Sequence, residues 1–119
     1  MSCPFRRETE LKSIAIDKIM KYDKLVRDKI PERIKSNGGV PITHIADDAE
    51  YWQKLKEKLL KEIEEFNKDE SAEELVDILE VLDAIAEYKK FDKKDVERIK
   101  EKKAEERGRF NKRIILDES

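Results

Sequence analysis

Four acids carry the chemistry that this chain can do. Lys61-Glu62-Ile63-Glu64-Glu65-Phe66 sets Glu62 three residues from Glu65, and Glu73-Glu74-Leu75-Val76-Asp77 does the same for Glu74 and Asp77. On a helix that spacing puts both members of a pair on one side. The side is an unusual one for acids. At about 100° per residue, Leu55, Leu59 and Phe66 form one stripe, and Glu62 falls roughly 40° from its centre. On the next segment Glu74 lies about 20° from Val81 and Ile85. A carboxylate turned toward a core needs a partner, because an isolated buried charge is very costly. A cation meets that need, and an all-oxygen donor set favours Mg²⁺, with Mn²⁺ also suitable. Such an ion suits phosphate chemistry, since it neutralises phosphate charge and orients an attacking water. Acids at this spacing are common in a chain with 29 Asp and Glu, so direction toward the apolar stripe is what singles these four out.

Cations that would meet the phosphates occur in two clusters. Lys24, Arg27 and Lys29 precede the acids, and Lys102, Lys103, Arg107 and Arg109 follow them around Gly108. Each cluster, taken alone, reads more readily as a solvated charged face. His44 is the single histidine and Cys3 the single cysteine, which argues against a zinc site, a Cys–His nucleophile or a triad built on histidine. Tyr51 and Trp52 belong either to the core or to a surface that stacks on a base.

The elements that must hold these residues are helices. Pro31 suits the first turn of a short helix ending near Ser36, where Asn37-Gly38-Gly39 stops it. Asp47 or Asp48 caps a helix over about 48–67, and Asn67 to Glu70 form a turn. Ser71 with Glu74 forms a capping box for a helix over about 72–89. Asp92 caps a third long helix over about 93–106, ended by Gly108. Val40 to Ile45 and Arg113 to Leu116 read as short extended pieces that could pair, giving minor strands near 40–45 and 112–116. The fold class is therefore mainly all-α: an antiparallel helical hairpin plus a third helix. Leu75, Ile78, Leu79, Val81, Leu82, Ile85 and Ala86 cover a wider arc than one neighbouring helix can bury, which predicts a homodimer or larger homo-oligomer.

The chain of 119 residues suffices for one domain, here residues 21–119, with residues 1–20 as an extension in which Leu11, Ile14, Ile16 and Ile19 could form a short amphipathic helix. Lys+Arg number 27 against 29 Asp+Glu, a net charge of −2, which gives no case for nucleic-acid binding. A lone cysteine, no long apolar run and no apolar signal region point to a cytoplasmic protein without a membrane span.

The order of these pieces is specific. Leu25-Val26-Arg27-Asp28-Lys29-Ile30-Pro31-Glu32 comes first, then the E-x-x-E of Glu62 and Glu65, the E-x-x-D of Glu74 and Asp77, and finally Lys102 to Phe110. Over about residues 22–116 this resembles the all-α nucleoside triphosphate pyrophosphohydrolase superfamily, the MazG-like group. The likeness is to its small members described as phosphoribosyl-ATP pyrophosphohydrolase-like. The resemblance implies cleavage of a nucleotide between its α and β phosphates, with Mg²⁺ held by Glu62, Glu65, Glu74 and Asp77. It also implies assembly into dimers or larger helical bundles. The eight residues between Glu65 and Glu74 make a shorter hairpin loop than many members have. Two further expectations stay open: true phosphoribosyl-ATP hydrolysis, and a non-catalytic helical dimerisation or regulatory module.

Overall fold

In a computed structural model of the chain, residues 23–119 are described; the expected N-terminal extension lies outside the described residues. Among those residues there are four helices and no strand: α1 (Ile30–Ser36), α2 (Asp48–Lys68), α3 (Ala72–Tyr88) and α4 (Lys93–Arg107). Each begins and ends where its local chemistry dictates. Pro31 stands in the first turn of α1, and Gly38, at φ +88°, closes its end while the Gly39 N–H donates to the Ile34 carbonyl at 2.9 Å. Asp47, rather than Asp48, caps α2 by accepting from the Glu50 N–H at 2.9 Å. Asp92 caps α4 through the Lys94 N–H at 2.8 Å, and Gly108 at φ +83° follows its last residue.

The ends of α3 show how side chains and backbone share the work. Ser71 Oγ accepts from the Glu74 N–H at 3.3 Å, while the Ser71 N–H donates to the Asp69 carbonyl at 2.7 Å. Half of the expected capping box is therefore present. At the other end, Phe91 N–H donates to the Ala86 carbonyl and Lys90 N–H to the Glu87 carbonyl. That is a Schellman closure, with Lys90 at φ +61° in the position that usually favours glycine.

The described contacts divide the chain into two compact units, one ending at Ile85 and the other beginning at Ala86, inside α3. In the first unit α2 returns through a three-residue connection into α3. Carboxylate oxygens of Glu62 and Asp77 lie within 4.8 Å of each other. In one continuous helix these residues would stand roughly 22 Å apart, so α2 and α3 form the expected hairpin. Leu55 and Val81 are the buried apolar residues among the described ones; Leu59, Phe66, Ile78 and Ile85 are half-buried. Leu60, Ile63, Leu75, Val76, Leu79 and Leu82 are exposed in the single chain. In the second unit α4 carries almost no buried surface, with Val96 and Ile99 exposed and Ala104 half-buried.

The minor strands expected near 40–45 and 112–116 do not form. Both stretches are irregular. A two-stranded ribbon is marginal unless one face is covered, and Val40, Ile42, Ile45, Ile114, Ile115 and Leu116 are all largely exposed. Pro41 also lacks an N–H to donate to a ladder. No helix among the described residues is long and apolar enough to cross a membrane.

Candidate functional site

The hairpin brings three of the four acids together. Glu62 comes from α2, and Glu74 and Asp77 come from the first two turns of α3; each offers an oxygen within 4.8 Å of the others. Their exposures are 3%, 0% and 8%. These are the most buried charged groups of the described chain, in a region whose fully apolar core is only Leu55 and Val81. The reason is geometric: Glu62 follows Leu55 by two turns on one face of α2, and Val81 follows Glu74 by two turns on one face of α3. The stripes that bury the apolar residues bury the acids with them.

Glu65 is half-buried on α2, one turn beyond Glu62, and stands outside the triad. Glu64 is exposed and pairs loosely with Lys61 at 3.6 Å, as its outward direction requires.

Arg27 and Lys58 both touch the triad. Arg27 Nη2 donates to Asp77 Oδ1 at 2.8 Å across a sequence separation of 50 residues. Its side chain is 47% exposed, so the guanidinium reaches the acid from the solvent side. Lys58 Nζ lies 3.2 Å from Glu62 Oε1, one helical turn away on α2, with its side chain largely buried. Glu62 Oε2 is buried and has no hydrogen-bond partner among the described residues. A buried carboxylate oxygen left without a donor is costly. It is also what a cation ligand looks like before the cation binds. The donor set is all oxygen and carries high charge, which fits Mg²⁺ or Mn²⁺. Glu62, Glu74 and Asp77 would hold such an ion.

The start of the described chain is latched to α2, four residues ahead of Arg27. Lys54 Nζ donates to the Asp23 carbonyl at 2.9 Å and lies 3.3 Å from Glu57 Oε1, which anchors residue 23 on α2. The hydrogen bond to Glu57 raises the Lys54 pKa above its usual 10.5, assisted by the charge of Asp23 and opposed by desolvation. Hydrogen bonds from Gln53 and then Lys54 lower the Glu57 pKa below its usual 4.5. Of the remaining expected phosphate ligands in this unit, Lys24 has a buried ammonium and Lys29 is exposed ahead of α1. Lys102, Lys103, Arg107 and Arg109 are exposed in the second unit, where Arg109 donates to Glu101 at 2.8 Å. His44 is exposed and meets the Glu50 carboxylate at 2.9 Å, away from the acid triad's contacts. Trp52 is half-buried, with the Lys56 ammonium 5.2 Å from its ring centre.

Lys58 is the site residue that the sequence reading missed. Its one signal is the i,i+4 spacing to Glu62. Among 27 basic and 29 acidic residues that spacing recurs too often to mark one pair.

No family model matches the chain, and no solved structure matches it. An uncharacterized protein of Mycolicibacterium smegmatis (strain ATCC 700084 / mc(2)155) is 46% identical over 41 residues, which make up 34% of this chain and 42% of that protein. The chain thus matches less than half of that relative's length.

Proposed function

We propose that the chain is a Mg²⁺-dependent nucleotide pyrophosphohydrolase. In this reading water attacks a nucleotide phosphorus, the α–β phosphoanhydride bond breaks, and a nucleoside monophosphate and pyrophosphate leave. The observation that carries the reading is the triad itself: three buried carboxylates within 4.8 Å, on consecutive helices, with Glu62 Oε2 buried and without a hydrogen-bond partner. A scaffold gains nothing from such a cluster, because buried like charges repel and lose their hydration. When bound, Mg²⁺ would neutralise phosphate charge and orient the attacking water. The protein's own part is to hold Glu62, Glu74 and Asp77 rigidly on the hairpin, with Glu65 one turn away. Arg27 offers a planar fork beside them, of which Nη2 is engaged by Asp77, and the rest of the fork suits a phosphate.

A homodimer or larger assembly belongs to the same reading. Leu60 and Ile63 on α2 and Leu75, Val76, Leu79 and Leu82 on α3 form more exposed apolar surface than a stable single chain keeps. That same surface favours the second reading, a non-catalytic helical dimerisation module. The test is a panel of nucleotides, phosphoribosyl-ATP included, assayed for pyrophosphate release with Mg²⁺ and with chelator. Release from at least one nucleotide, abolished by chelator, supports the enzyme. No release from any, together with no Mg²⁺-dependent rise in melting temperature, leaves the module.

A further inference from the structure

Arg27 and Lys58 meet the acid triad in one pattern. Arg27 takes one oxygen of Asp77, and Lys58 takes one oxygen of Glu62 while leaving Oε2 without a hydrogen-bond partner. We propose that Lys58 and Arg27 are internal counter-ions of the triad, which stabilise it before a divalent cation binds and thereby set its affinity for that cation low. The proposal rests on the reading of the triad as a metal site.

The charge count gives the reason. Three carboxylates facing one point would attract a divalent ion strongly and would also repel one another enough to loosen the hairpin. Two positive side chains in direct contact remove most of that repulsion. An arriving cation then meets less negative charge than three bare carboxylates would present, and must also compete with an ammonium and a guanidinium already in place. Neither of the two is locked. Lys58 sits on a flexible four-carbon stem that keeps some solvent exposure, and the Arg27 side chain is 47% exposed. A phosphate that draws Arg27 away from Asp77 would strengthen the site for the metal, so nucleotide and ion would bind with positive coupling.

The experiment measures two quantities on nucleotide-free protein: Mn²⁺ affinity by titration calorimetry, and melting temperature in chelator. Lys58→Met keeps the aliphatic stem and removes the charge. The expected result is a lower melting temperature in chelator combined with Mn²⁺ binding at least about tenfold tighter than wild type. Lys58→Arg, which keeps the charge, should restore wild-type affinity. Arg27→Gln, at a half-exposed position, should move affinity in the same direction as Lys58→Met and serves if that variant does not fold. A lower melting temperature with unchanged or weaker Mn²⁺ binding in both charge-removing variants would overturn the proposal, because the cations would then be ordinary structural or orienting partners. The metal reading would survive that outcome. No Mn²⁺ binding by wild type or any variant would overturn both.

Discussion

Replacing Glu62 by Gln separates the cost of the acid triad from its use. The substitution keeps shape and removes one charge from a group that is 3% exposed. At an effective dielectric of about 20, two unit charges 4.8 Å apart repel by about 3.5 kcal/mol. Glu62 faces two such neighbours, Glu74 and Asp77, so about 7 kcal/mol of repulsion disappears. The lost attraction to Lys58 at 3.2 Å is about 5 kcal/mol on the same scale, and a glutamine oxygen keeps a hydrogen bond to the ammonium. Arg27 already offsets part of the Asp77 charge, so the balance favours the variant in the absence of metal by up to about 2 kcal/mol, or up to roughly 5–10 °C in melting temperature for a domain of this size. Thermal unfolding in chelator is the assay. If the proposed function holds, Mg²⁺ raises the wild-type melting temperature, and the same variant should lose that rise together with pyrophosphate release. Stability and activity thus move in opposite directions. A Glu62→Gln protein that melts lower than wild type in chelator would show that the triad is a net stabilising network, and the electrostatic reasoning would fail. One that keeps the full Mg²⁺ shift would remove Glu62 from the metal site.

Glu74→Gln and Asp77→Asn should each lower Mg²⁺-dependent pyrophosphate release by at least about a hundredfold, while Glu65→Gln, outside the triad, should cost less; steady-state rates at saturating Mg²⁺ decide the order. Leu79→Glu, on the exposed apolar face of α3, should shift the assembly to monomer by light scattering, and a wild-type protein that is already monomeric at micromolar concentration would refute the assembly. Lys54→Met should lower the melting temperature near neutral pH by releasing Asp23 from α2. The depressed Glu57 pKa contributes stability that is present above 4.5 and lost as pH falls below it, and the raised Lys54 pKa contributes stability that is present below 10.5 and lost above it. The difference between wild type and Lys54→Met should therefore be flat between those limits and shrink outside them, as melting curves across pH will show.

The helices were legible in the sequence because their signals are local. Asp47 and Asp92 satisfy N–H groups two or three residues ahead, Pro31 and Gly108 act within one turn, and the stripes follow from 3.6 residues per turn. The inward direction of Glu62 and Glu74 was legible for the same reason, since each shares a face with apolar residues of its own helix. The expected strands failed because pairing is not local: exposed Val40, Ile42, Ile114 and Ile115 have the composition of strands and no covered face to make them stable. Tertiary structure alone decided which acids converge. Spacing made Glu65 the equal of Glu62, yet the hairpin closes on Glu62, Glu74 and Asp77. It also decided which of many cations matter. Arg27 reaches Asp77 across 50 residues, and Lys58 is one Lys–Glu spacing among many until α3 buries the acid that it faces. Charge pairing depends on distance and burial in three dimensions, and a sequence so rich in both signs offers more possible pairs than any fold can make.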